Sequence, residues 1–408
     1  MLRSMFSAIS GLRGHQIMMD VIGNNIANVN TVGYKSGRVN FQDILSQTLR
    51  GSSAPSGGLG SVNPAQVGLG MTVAGIDVLH TQGNLQSTGK LTDMAIQGDG
   101  FFVLADGFRQ YYTRDGSFDI ASDGSLVNSA SGLKVQGWQA DTSGVVDTSL
   151  KPGNLQIPIG QRTTALATST ASVRGNLNAG SPVAASATTT LTVFDSLGVS
   201  HSIKLTFAKT AANAWSWTAS PDPADTGTTT TSTGTLTFGS SGLLTASTGT
   251  LSIALTNGAT TPIAPTLDFT QMTQFSGASE PVAQTNGFTS GTLVTFALGN
   301  GGEITGVYSN GQTQIVGQIA MASFLNPSGL LRAGQNTFQT SSASGNASIG
   351  RPGQGNRGTV TTGALEMSNV DLATQFTGMI TAQRGFQANG RVITTSDEML
   401  QELVNLKR

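Results

Sequence analysis

A chain of 408 residues is long enough for two or three domains. Only 11% of it is charged, against about 25% in an average protein, so Ser, Thr, Asn, Gln and Gly must supply much of its polar surface. A net charge of −1 removes the electrostatic basis for binding nucleic acid or an anionic membrane, and the lack of cysteine excludes disulfides, thiolate metal sites and thiol nucleophiles. The 53 glycines carry no G-X-Y period, which excludes collagen and indicates many tight turns. No stretch approaches the ~20 apolar residues of a membrane span, and the N-terminus lacks the apolar core of a cleaved signal peptide.

Residues 2–29 predict a helix. Met5, Leu12, Met19 and Ile26 repeat every seven positions, and Leu2 and Ile9 begin a second row that Gln16 and Gly23 interrupt. That helix is weak alone. Gly11, Gly14 and Gly23 each cost about 1 kcal/mol relative to alanine, and Arg3 sits where the helix dipole disfavours a cation. Asn28, Asn30 and Gly33 tolerate a left-handed stop. The run of Gly, Ser, Pro and Asn between Ser52 and Gly70 predicts an extended arm over residues 31–70.

From residue 71 the period becomes two. Asp99-Gly100, Asp106-Gly107, Asp115-Gly116 and Asp123-Gly124 separate short apolar or aromatic runs, the pattern of hairpins. Between 146 and 283 Thr, Ser and Ala dominate, yet Ile203, Leu205 and Phe207 alternate with polar neighbours, and Trp215/Trp217, Leu236/Phe238 and Leu251/Ile253/Leu255 follow suit. The spacing predicts a separate β-domain inserted into the first. After Gln284 the earlier style returns, and 341–363 is again rich in Gly and Ser, with 359–364 as a returning arm. A capping box at Ser368-Asn369-Val370-Asp371 opens the last helix, with Lys407 and Arg408 at its far end. Its seam counts Leu365, Leu372, Met379, Phe386, Ile393 and Leu400, with a weaker row at Phe376, Gln383, Gly390, Asp397 and Val404.

The fold expected is mainly β with α-helical termini, nested in several domains. Residues 1–30 with 365–408 form a coiled-coil-like inner domain, 31–70 with 359–364 the arms, 71–145 with 284–358 the first β-domain, and 146–283 the inserted one. The seams make Leu2, Met5, Ile9, Leu12, Met19, Ile26, Leu365, Leu372, Phe376, Met379, Phe386, Ile393, Leu400 and Val404 candidate subunit-interface residues. Marginal helices of this kind are expected to be disordered in a lone copy and to order on assembly.

Other chemistry finds little support in the residues. The Asp-Gly pairs lack the acidic spacing of a calcium loop, and Gly350–Gly358 lacks the Gly-Lys-Ser/Thr ending of a phosphate cradle. His15, His80 and His201 have no partner motif, so surface or packing roles are expected. Asp397 and Glu398 read as a solvated helix face. No residues converge on a catalytic pair, and neither cofactor nor metal is expected. Trp138, Trp215 and Trp217 leave a second reading, a glycan-stacking face.

Val21-Ile-Gly-Asn24-Asn25-Ile-Ala-Asn28, with Thr31-Val-Gly33-Tyr34-Lys35, resembles the N-terminal motif of the bacterial flagellar rod and hook axial proteins. Gly98–Phe102 and Tyr112–Phe118 are similar to that family's first β-domain. Leu365-Glu-Met-Ser368-Asn369-Val-Asp371-Leu372 and Thr395–Leu400 resemble its C-terminal signature. Tyr308–Thr313, Phe324–Leu330 and Phe194–Gly198 are closest to the hook members. The resemblance marks Asn24, Asn25, Asn28, Gly33, Tyr34, Ser368, Asn369 and Asp371 as family-motif positions. It implies a subunit exported unfolded through the flagellar type III apparatus, without a cleaved signal, that polymerises with itself into a curved, bendable tube outside the cell. Its implied neighbours are the distal rod, hook cap and hook–filament junction proteins, with no nucleic acid or membrane. The alternative within the family is a distal rod or junction protein.

Overall fold

The computed structural model describes residues 2–52, 54–55, 61, 63–141, 144–160, 162–223, 225, 227–230 and 232–406. The side chain of Leu2, and Lys407 and Arg408, lie outside them. Two compact units divide the chain: Met1–Ile157 with Ala297–Thr305 and Ile315–Arg408, and Pro158–Phe296 with Gly306–Gln314.

In the first unit the terminal segments form two helices, α1 (Leu2–Ala27) and α2 (Leu372–Asn405), packed side by side. They run antiparallel in an even register. Asn25 meets Gln375, Ile22 faces Gly378, His15 faces Gly385, Gly11 faces Asn389 and Ser4 approaches Ser396. Each step back along α1 is matched by an equal step forward along α2. Small residues make this contact possible: a Cβ on Gly11 would lie 2.7 Å from Asn389 Nδ2, and one on Gly385 2.5 Å from His15 Nε2. Gly11, a liability for an isolated helix, is therefore a packing position here, whereas Gly23 faces open space.

Two expectations about the helical ends need correction. Leu365 is not in the helix: Ala364–Glu366 is a strand paired with Leu85–Ser87. The helix begins after Asp371, whose carboxylate accepts from Ala373 N (2.9 Å) and Thr374 Oγ1 (3.0 Å), so Asp371 is the cap; Ser368 Oγ instead accepts from Val370 N at 3.3 Å. An ionised acceptor at the position with free N–H groups outcompetes a hydroxyl three residues earlier.

The arms are also more regular than expected. Gly37–Asp43 pairs antiparallel with Met71–Val78, Ser46–Arg50 with Ala65–Gly68, and Thr359–Thr362 with Met94–Gln97. Turn-rich composition between residues 52 and 70 conceals the strand Ala65–Gly68 within it, because pairing is decided by a partner distant in sequence.

The main sheet of this unit runs Lys134–Gln139, Phe101–Ala105, Gln110–Thr113, Thr337–Gln339, Leu331–Gly334. One of its cores gathers Phe101, Val103, Tyr112, Trp138, Phe324 and Phe338. Asp106-Gly107 and Asp123-Gly124 close hairpins, joining Phe101–Ala105 to Gln110–Thr113 and Phe118–Ile120 to Leu126–Asn128. Asp99-Gly100 and Asp115-Gly116 do not, since the strands they link pair elsewhere. Gly116 is needed for another reason: a Cβ there would sit 1.6 Å from the Met94 carbonyl oxygen.

The second unit is a β-domain. Ser186–Phe194, Ser200–Ala211, Ala214–Pro221, Thr233–Phe238 and Leu244–Ser247 form an antiparallel meander in that order. Thr170–Asn176 pairs with Thr266–Asp268, Met272–Thr273 and Val282–Thr285 in a second sheet. Ile203, Leu205 and Phe207 alternate inward, and a single core takes residues from both sheets, with the Phe269 ring 5.8 Å from Trp217. Trp215 and Trp217 are wholly buried and Trp138 nearly so; Trp217 Nε1 donates to Thr248 O (3.0 Å) and Trp138 Nε1 to Leu150 O (2.6 Å). Tryptophan buried to this degree offers no stacking face, which overturns the glycan reading.

Gly116→Ala is expected to destabilise the first unit by about 1–3 kcal/mol or more, as an overpacked site whose neighbour is main chain. By contrast, Gly23→Ala is expected to stabilise the monomer by about 1 kcal/mol. Urea unfolding followed by circular dichroism measures both.

Candidate functional site

The segments that carry the family motifs at the two ends meet around one buried cluster of the first unit. Its centre is Glu366, fully buried. Glu366 Oε1 accepts from Lys35 Nζ (2.6 Å) and from Gly83 N (2.8 Å), and Oε2 from Arg114 at 3.2 Å. The side chains of Lys35 and Arg114 are 0% and 2% exposed. Lys35 also donates to Thr81 O at 2.8 Å, and the Arg114 guanidinium lies 5.4 Å from the Phe101 ring centre. The backbone joins in: Gly33 N donates to Glu366 O at 2.7 Å.

Gly33 can make that contact only as glycine. Its φ is +67°, and a Cβ would lie 2.6 Å from the Asp115 amide nitrogen. Asn28, expected to share the left-handed stop, instead donates its side-chain amide to Asn24 O (2.9 Å) and accepts from Thr31 Oγ1 (3.1 Å), finishing α1 by side-chain bonding. Neither Asn28 nor Asn30 takes a positive φ.

Around this centre the asparagines act as splices. Asn25, 1% exposed, accepts from Gly37 N (2.9 Å) and donates to Gly37 O (2.8 Å) and to Gln375 Oε1 (3.0 Å), tying α1 to the first arm strand and to α2. The Tyr34 hydroxyl donates to Asn24 Oδ1 at 2.8 Å and lies 3.1 Å from Asn25 Oδ1, while the Arg332 guanidinium stands 5.1 Å from the Tyr34 ring centre. Asn369 accepts from Ser36 N (2.8 Å) and donates to Leu79 O (2.8 Å) and Thr81 Oγ1 (2.9 Å). Most donors and acceptors of these amides are used, which fixes the orientation of both helix roots.

Burial holds the Lys35 ammonium below its usual pKa, against the pull of Glu366, and the neighbouring Arg114 adds to the lowering. His80 packs between the Phe101 and Phe338 rings, 5.5 Å from each centre. Burial first, then the charges of Lys35 and Arg114, lower its pKa to about 4.

The seam residues divide differently from the heptad count. Met5, Leu12, Met19 and Ile26 are half-buried on α1 and Ile9 is exposed, as are Leu372, Phe376, Phe386 and Val404 on α2; Met379, Ile393 and Leu400 are half-buried. The helix pair closes on Ala8, Gly11, Ala382 and Ser396 instead. Counting by sevens also misses Phe6, Ile380, Val392, Met399 and Leu403, all exposed. A straight helix drifts about 20° per heptad, so a strict count walks off the stripe; steps of four from Leu372 through Phe376 to Ile380 would have found it. Asp397 and Glu398 are exposed as expected. Among the described residues no group of three or more His, Cys, Asp or Glu could hold a metal, and no helix is long and apolar enough to cross a membrane.

Family models match along the chain: "Flagella basal body rod protein" over residues 5–35, "Flagellar hook protein FlgE/F/G D1 domain" over 95–176, "Flagellar basal body protein FlaE D2 domain" over 162–288, and "Flagellar basal body rod FlgEFG protein C-terminal" over 361–406. Termini knotted at Glu366 and β-structure between them therefore define a flagellar axial protein. The flagellar hook protein FlgE of Treponema pallidum is 42% identical over the whole of both chains, and that of Salmonella typhimurium 39% identical over 99% of this chain and all of that one. The basal-body rod protein FlgG of Bacillus subtilis is 33% identical over the full length of both. The hook protein FlgE2 structure from Helicobacter pylori, at 13% identity, shares the fold with a TM-score of 0.57, covering 69% of this chain and 100% of that one. The chain belongs to the flagellar hook protein FlgE family, whose members are structural proteins and not enzymes.

Removing the Glu366 charge leaves two buried cations without a counter-ion, so Glu366→Gln is expected to cost about 3–5 kcal/mol in denaturant unfolding of the first unit. His80 gives a pH signature. Unfolded, it takes up a proton near pH 6.5; folded, only near pH 4. The unfolded state thus binds more protons between those values, and stability present above pH 6.5 is lost as pH falls through about 4. The thermal midpoint of His80→Phe is expected to fall less over that interval than that of the parent.

Proposed function

We propose that this chain is the repeating subunit of the flagellar hook, polymerising with itself into a curved, flexible tube that joins rod to filament, transmits torque and encloses the export channel. The observation that carries this reading is the division of labour on α2. Small residues satisfy its contact with α1, and large apolar ones, Leu372, Phe376, Ile380, Phe386, Val392 and Leu403, are left facing water. A stripe of that kind on a helix with an intramolecular partner already in place is a surface for other copies. The candidate interface set Met5, Ile9, Leu12, Met19, Ile26, Leu372, Phe376, Met379, Phe386, Ile393, Leu400 and Val404 serves this contact, with Leu365 reassigned to the strand that roots the helix.

In this reading the subunit is exported through the flagellar type III apparatus without a cleaved signal and acts outside the cell. It meets the distal rod protein at one end, the hook–filament junction protein at the other, and the hook cap during growth. Weakly charged outer β-surfaces suit a tube that bends, since no strong ion pair has to break at each turn. The full-length likeness to a rod protein supports the alternative, a distal rod subunit. Electron microscopy of tubes grown from purified subunits separates them: curved tubes favour the hook, straight ones the rod.

Leu372→Ala with Phe386→Ala is expected to abolish seeded polymerisation while the β-strand signal in circular dichroism is kept; normal tubes from the double variant contradict the interface. In a dilute monomer, amides of Leu2–Ala27 and Leu372–Asn405 are expected to exchange faster than those of Phe101–Ala105 and Ser200–Ala211. Equal protection contradicts ordering on assembly.

A further inference from the structure

The two helices are unequal in length, and their register shows where the excess falls. With Gly11 opposite Asn389 and Ser4 approaching Ser396, Leu2 stands level with Glu398. Everything in α2 beyond that level has no α1 residue beside it. The overhang from Met399 to Leu406 is about two turns, or ~12 Å, long. Its apolar side chains are bare: Met399 is 45%, Leu403 52%, Val404 68% and Leu406 83% exposed. Glu398 and Glu402 stand among them, exposed.

A groove of matching character lies on the other helix. Phe6, Ile9, Arg13, Ile17, Ile44 and Met71 line a cavity of about 480 Å³ between α1, Ile44 and the start of the strand Met71–Val78. Its walls are mostly apolar and its charge is positive, from Arg13, with Arg3 exposed a few turns away. None of Arg3, Arg13, Glu398 and Glu402 enters an ion pair among the described residues. The overhang cannot fill the groove of its own chain. Ile9 is level with Arg391, and Leu403 lies twelve residues, or ~18 Å, further along a rigid helix.

We propose that the last two turns of α2, Met399–Leu406, seat in the groove beside α1 of a second copy of this chain, with Glu402 facing that copy's Arg13 and Glu398 its Arg3. The inference rests on the self-assembly proposed above and deepens it by naming which surfaces join. Knob and groove are different surfaces, so each copy offers one of each. Such a head-to-tail contact runs on into an open helical filament where its rotation does not close a ring, as a tube requires, whereas a self-complementary patch would stop at a dimer.

The cysteine-free chain allows a direct test. One preparation carries Ile9→Cys, another Leu403→Cys; they are mixed, seeded into polymer and oxidised. A cross-link between the two variants is expected in sedimented polymer and not in the dilute mixture. Polymer without that cross-link overturns the proposal, and so does a cross-link only between identical variants, which would place another surface or another flagellar component in the groove. Leu403→Asp, at an exposed position that folding tolerates, is expected to slow seeded elongation about tenfold or more. Arg13→Glu and Glu402→Arg are each expected to slow it, and the chain carrying both to recover. Unchanged elongation of Leu403→Asp, or no recovery in the double reversal, counts against the seat. If wild-type chains polymerise without the cross-link, only this inference falls; if they do not polymerise at all, the proposed function falls with it.

Discussion

A single carboxylate, Glu366, holds the architecture together. It is buried with two cations and a backbone N–H on its oxygens, and its own carbonyl accepts from Gly33. None of these charges is tolerable in the interior without the others. Residues separated by 331 positions therefore have to arrive at the same place, and the helices that begin or end a few residues away leave it together. Asn25 and Asn369 extend the constraint outward, binding the helix roots to the arm strands. The pairing of α1 with α2, and hence which side chains remain outside, follows from that junction.

Above the junction, packing is arranged around what one copy can satisfy. Glycine, alanine and serine let the helix backbones approach, a contact that buries little large apolar surface. The phenylalanines and aliphatic residues of α2 point elsewhere. Burial of a Leu, Ile or Phe side chain is worth about 1.5–3 kcal/mol, so several such residues per copy supply a driving force that acts only between copies.

Much of this was readable in the sequence, for identifiable reasons. Helical ends and a β-rich middle show in the change of period near residue 71, and the inward alternation of Ile203, Leu205 and Phe207 appears as written. The motif residues around Asn25, Tyr34 and Asn369 stand out through the resemblance to the axial-protein motifs. Their partners were not legible. Nothing local to Lys35 or Arg114 indicates Glu366, and no turn signal distinguishes the Asp-Gly pairs that close hairpins from those that link strands paired elsewhere. Leu365 fell to the heptad count because a period does not record where a helix stops, and the glycines of α1 read as weakness because a small residue shows its use only when a neighbour is seen against it.

The central claim is that one copy leaves its large apolar helix residues for others while the Glu366 junction stays shut. Electron cryo-microscopy of the polymer at side-chain resolution tests it most directly. The account predicts Phe376, Ile380 and Leu403 buried against neighbouring copies, with Lys35–Glu366 and the Gly385–His15 contact unchanged. A tube in which those side chains face the open channel, or in which α1 and α2 of one chain have parted, would contradict it.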